Sequence, residues 1–256
     1  MALMKTSNPA LNGNTFENFP GVRYGGAIDE ATRMTLTGTV NKTGLLLLCA
    51  IATAAWTWHT FMQTRDFGDV APLMLVGVFG GLIFALVTSF KKEWSPVTAP
   101  IYALLEGLAL GGISALFDLR YPGIAMQAVG LTFGTLFALL LAYRSGLIPV
   151  TQKLRMGIVA ATGGIMLFYF LQMLLGFFGF QFTSVNGSGF IGIAFSLFVV
   201  AIAALNLVLD FDFIERGVNA GAPKYMEWYG AFGIIVTLVW LYLEILRLLS
   251  KMRSRN

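Results

Sequence analysis

Seven long apolar runs, separated by short polar stretches, leave this chain few ways to fold. A bilayer core about 30 Å thick is crossed by about 20 helical residues. In lipid a segment must satisfy its own backbone polar groups, and a helix does so. The runs cover about residues 44–63, 70–90, 97–118, 123–142, 156–180, 188–213 and 226–249. Between them stand Arg65-Asp66, Lys91-Lys92-Glu93, Arg120, the Arg144 to Arg155 stretch, Asn186-Gly187-Ser188 and the Glu215 to Lys224 stretch. The expected fold class is all-α, a polytopic membrane protein with a transmembrane domain at 44–250. A polar N-terminal tail at 1–43 precedes it and a basic C-terminal tail at 251–256 follows. Composition agrees: 57% of residues are hydrophobic and 12% are charged, about half the charge of a soluble domain. The 29 glycines and 22 phenylalanines suit helices that pack closely on one side and face acyl chains on the other.

The same composition excludes several kinds of chemistry. With one cysteine, Cys49, and one histidine, His59, the chain can form no internal disulfide and no zinc site of several His or Cys ligands. His59 reads as an interfacial residue beside Trp56 and Trp58. The Gly-x-Gly-Asp signature of two-aspartate intramembrane proteases is missing, and no lysine lies between Lys224 and Lys251 to carry a retinal. No enzymatic activity and no cofactor are expected, save a possible calcium ion.

The net charge of +4 comes from basic residues in the gaps between runs, where topology determinants belong. No Lys/Arg stripe with interleaved aromatics suggests nucleic acid. Eleven basic residues fall on the side of the N-terminus and six on the other, four of these six at the C-terminal end. By the positive-inside rule the N-terminus is expected in the cytoplasm and the C-terminus outside.

An ionisable group inside a span costs about 2.5–3.5 kcal/mol to insert, so it calls for a reason. Glu106 sits mid-run, one turn after Tyr102, and reads either as a hydrogen-bonded packing residue or as a pore-lining or proton-binding acid. Asp210 and Asp212 are two residues apart, about 200° on a helix, so they point in opposite directions. Asn206 shares the face of Asp210. Glu244 lies one turn before Arg247, which allows a local ion pair. A sharper reading brings Glu244 against Asp210. Two carboxylates close together in low dielectric cannot both ionise cheaply, so such a pair would hold a proton near neutral pH and part when it is lost. Its oxygens would also suit a hard cation such as Ca²⁺. A simple hairpin brings these two acids level only if it turns near residue 227, whereas Gly217 to Pro223 has the composition of a turn.

The residues of the last third resemble the Bax inhibitor-1 family of transmembrane Bax inhibitor motif proteins, found in bacteria and eukaryotes. That family's sixth span ends in Tyr-Asp-Thr-Gln-x-Ile, and here Leu209-Asp210-Phe-Asp-Phe-Ile214 keeps the Asp and the Ile. Its seventh carries Leu-Tyr-Leu-Asp-x-x-Asn-Leu-Phe, met here by Leu241-Tyr-Leu-Glu244-Ile-Leu-Arg247-Leu-Leu. Its third-span Tyr-x-x-x-x-Gly-Leu-x-Leu is similar to Tyr102 to Leu110.

The resemblance implies a divergent bacterial member in the inner membrane, with six helices around a central seventh. It implies a pH-sensitive calcium leak in which Asp210 and Glu244 serve as sensor and gate and as possible calcium ligands. Glu106, Asp212, Asn206 and Arg247 would line the ion pathway. The other class the resemblance allows is a non-conducting regulator that binds membrane proteins, for example a membrane protease. The small-residue faces Gly107 to Gly111 and Gly77 to Gly81 would serve such binding, unless internal packing uses them.

Overall fold

The computed structural model describes residues 32–179 and 183–255. Among the described residues, seven helices are long and apolar enough to cross a membrane. They are α1 (Leu36–Thr64), α2 (Phe67–Phe90), α3 (Ser95–Arg120), α4 (Ile124–Arg144), α5 (Gln152–Phe177), α6 (Phe190–Asn219) and α7 (Met226–Arg253). A 3₁₀ turn, Lys92–Trp94, leads into α3, and one helical turn, Thr183–Asn186, precedes α6. The chain is a multi-pass integral membrane protein.

The helix ends follow local chemistry. Thr35 caps α1, its side chain accepting from the Gly38 N–H, and Asp66 and Thr151 cap α2 and α5 in the same way. These caps satisfy amide donors that the first turn leaves open. Arg65 takes a left-handed conformation, φ 50°, which closes α1 and lets α2 start two residues later.

The polar stretch before residue 44 is not all tail. Leu36 to Thr43 form the first two turns of α1, held there by Thr35 and by contacts of Lys42 described below. Residues 1–31 of the expected tail lie outside the described residues. At the other end α7 continues to Arg253. Lys251, expected in the basic tail, is therefore a buried helical residue.

Helix α3 lies between α1 and α2, and glycine decides how closely. A Cβ on Gly107 would stand 2.2 Å from the Ala50 carbonyl oxygen, and one on Gly111 2.2 Å from that of Ala54. Toward α2, a Cβ on Gly77 would stand 2.6 Å from the Leu105 carbonyl oxygen. These small-residue faces are consumed inside the bundle, so they are not open to a partner helix.

The most buried span is α7. It packs on α6, α1, α4 and α3. Its Phe232, Ile235, Leu238, Leu241 and Leu246 build the largest apolar cluster. By contrast α5 packs mainly on α6, and large side chains such as Met166, Leu167 and Phe170 stand exposed on it, as suits a lipid-facing helix.

A clasp joins the start of the described chain to the turn between α6 and α7. The Met34 N–H donates to the Ala222 carbonyl (2.7 Å) and the Lys224 N–H to that of Thr32 (2.9 Å). Beneath them lies the buried Glu227. Its carboxylate accepts from the Thr35 N–H (2.9 Å) and Thr35 Oγ1 (2.8 Å) and pairs with Lys42 and Lys224. Gly38 leaves the room: a Cβ there would overlap this carboxylate at 2.2 Å.

Candidate functional site

The α6–α7 hairpin turns over residues 220–225, so its centre is near residue 223. Two antiparallel helices joined there place residue 210 level with about residue 237. The structure has this pairing: Thr237 Oγ1 donates to Asp210 Oδ2 at 2.6 Å, with Asp210 only 1% exposed. Glu244 stands seven residues further along α7, about 10 Å of helix rise. The hydrogen bonds of Glu244 run to other partners. Arg247 Nη1 donates to both carboxylate oxygens (2.8 and 3.1 Å), and Tyr169 Oη of α5 donates to them at 3.2 and 3.3 Å. Arg247 Nη1 also donates to Tyr169 Oη (2.8 Å), and its guanidinium lies over the Tyr169 ring. Glu244 is 2% exposed. Both acids thus face the bundle interior, each held in a different cluster.

The remaining acids divide between other faces. Asp212 points away from Asp210 and pairs with Arg155 of α5 and with Arg216 one turn on in α6. Asn206, buried one turn before Asp210, donates to Thr162 Oγ1 of α5 (2.9 Å) and to the Ile202 carbonyl (2.8 Å). Glu106 of α3 stands against α2, where a Cβ on Gly81 would approach its Oε2 to 2.9 Å. Tyr102 sets its ring edge-on to Phe232 of α7.

Helix α5 is the element that joins most of this set. Arg155, Thr162 and Tyr169 recur every seven residues, so they share one face. They meet Asp212, Asn206 and Glu244 in turn. The sequence reading counted Arg155 only as a topology determinant and passed over Thr162, Tyr169 and Thr237. The heptad spacing of polar residues through an otherwise apolar run was the available signal for the first three.

Among the described residues, no group of three or more His, Cys, Asp or Glu side chains gathers to hold a metal ion. A lasting Ca²⁺ site takes 6–8 oxygens, and Asp210 and Glu244 sit in separate clusters.

The model of a family described as Bax inhibitor 1 like matches residues 8–254, nearly the whole chain. The chain belongs to that family. No curated protein and no solved structure matches it. The Bax inhibitor 1 like match extends the resemblance seen in the last spans to the N-terminal region.

Proposed function

We propose that this Bax inhibitor 1 like protein is a pH-sensitive cation leak channel or transporter that passes calcium and is gated by Asp210 and Glu244. The observation that carries the reading is the burial of both carboxylates within spans, each tied to a neighbour by bonds that depend on its ionisation. Asp210 accepts from Thr237 and so closes α6 on α7. Glu244 accepts from Arg247 and Tyr169 and so closes α7 on α5. A proton on Glu244 abolishes its ion pair with Arg247, and a proton on Asp210 replaces a charged acceptor with a neutral one. Proton binding and loss therefore change how α5, α6 and α7 hold together, with α7 as the central element of the six others. On this reading Glu106, Asp212, Asn206 and Arg247 would also meet the ion. The protein would sit in a bacterial inner membrane with its N-terminus in the cytoplasm.

The test is Ca²⁺ entry into dye-loaded liposomes at about pH 6 to 8, the range in which buried carboxyls can titrate. The wild type is compared with Asp210→Asn and Glu244→Gln. Flux should change with pH, and the neutral variants should flatten that change. Absence of Ca²⁺ flux at every pH removes conduction.

A second reading, a non-conducting regulator of other membrane proteins such as a protease, has one observation in its favour. Gly130-Leu-Thr-Phe-Gly134 on α4 is a G-x-x-x-G face, and a Cβ at either glycine would meet nothing within 4 Å. Such a face can accept another helix. Co-purification of a partner that Gly130→Leu abolishes, together with unchanged flux, would favour it.

A further inference from the structure

Near the end of α7, the helices α5, α6 and α7 and residues 185–186 border an open cavity of about 540 Å³. Its polar lining includes Arg247, Lys251, Gln172 and Asn186, and its apolar lining includes Met173 and Phe195. Lys251 is 7% exposed. Its ammonium has three N–H donors, and they go to the Val185 carbonyl (2.8 Å), the Gly192 carbonyl (3.2 Å) and Ser196 Oγ (2.9 Å). All three acceptors are neutral. The hydrogen bonds of Lys251 therefore go to neutral groups alone, and its charge is balanced only through space.

Arg247 adds a second positive charge. Its Nη1 serves Glu244 and Tyr169, while its side chain is 44% exposed, and no described hydrogen bond uses Nη2 or Nε. Two cations therefore share one carboxylate. A net positive charge stands in a cleft that also offers amide donors and apolar walls. Depth matters as well: Lys251 and Arg247 lie about 3 and 9 Å of helix rise from the end of α7, the level of lipid headgroups.

We propose that this cavity binds the phosphate of an anionic phospholipid. The free Arg247 donors grip phosphate oxygens in the planar manner of guanidinium. Lys251 supplies field, Gln172 and Asn186 supply neutral hydrogen bonds, and Met173 and Phe195 flank the glycerol and upper acyl chain. Basic pockets between transmembrane helices on the cytoplasmic side hold lipid headgroups in this way; with the C-terminus outside, this one would face the outer leaflet. The site stands whether or not the protein conducts ions.

The test is native mass spectrometry of the detergent-solubilised full chain, titrated with phosphatidylglycerol or with phosphatidylcholine of the same acyl chains. Phosphatidylglycerol should bind more tightly, and Arg247→Gln should weaken it at least about fivefold, the worth of one basic residue near a membrane surface. Gln172→Ala reports on the same cavity should the arginine variant not fold. A parallel arm adds glycerol phosphate without lipid. Displacement of phosphatidylglycerol by it at comparable concentration would assign the phosphate site to a water-soluble ligand and overturn the lipid. Equal binding of the two phospholipids, or unchanged phosphatidylglycerol binding by Arg247→Gln and Gln172→Ala, would overturn the site altogether.

Discussion

Thr237 shows how much a single hydroxyl can carry in a low-dielectric interior. It donates to Asp210, a carboxylate with almost no exposure, and its loss leaves that oxygen short of a donor. Thr237→Val keeps the shape and removes the hydroxyl. It should destabilise the protein by about 1–3 kcal/mol, while Thr237→Ser should retain most of the stability. Thermal unfolding of the three proteins in detergent is the check, and an unchanged midpoint for the valine variant would remove Thr237 from the site. At this scale the sequence was legible where charge broke an apolar run, as at Asp210 and Glu244. It was silent about their partners, because a threonine or tyrosine in a span is cheap enough to need no special reason.

For single elements, the same residue type can have opposite consequences. Gly111 of α3 touches the α1 backbone, whereas a Cβ on Gly164 of α5 would meet nothing within 4 Å. Gly111→Ala should therefore force α1 and α3 apart and lower the unfolding temperature. Gly164→Ala should leave it unchanged or raise it slightly, since alanine is the better helix former by about 1 kcal/mol. Comparable losses from both substitutions would mean that α5 is not lipid-facing as described. Element lengths and order could be read from apolar run length, which the bilayer fixes. Helix ends could not, because polar residues continue a helix wherever a cap or an ion pair holds them. Thr35 with Lys42 does so for α1, and Arg216 with Asp212 for α6. The level at which Asp210 meets α7 depended on the turn: Gly217 to Asn219 continue α6, and the turn over residues 220–225 sets Asp210 beside Thr237.

Over the whole molecule, the clasp around Glu227 couples the region before α1 to the hairpin that carries both buried acids. Glu227→Gln leaves two lysines without their carboxylate. It should release the Met34 and Lys224 amides, so that hydrogen exchange at these positions speeds by about tenfold or more while the core of α7 stays protected. Equal protection in both proteins would reduce the clasp to a surface feature. No sequence pattern announced it: Thr35 and Glu227 are 192 positions apart, and only the fold brings them together. Span number, by contrast, is legible in the sequence, since each crossing is specified locally.

The face of α5 that presents Arg155, Thr162 and Tyr169 has a further consequence. Of its bonds, that of Thr162 with Asn206 lies deepest in the span, where hydrocarbon offers an opened polar pair no substitute and water would offer one at once. Water that reached Asn206 would compete for that bond and loosen the middle of α5, whose two ends already stand close to water.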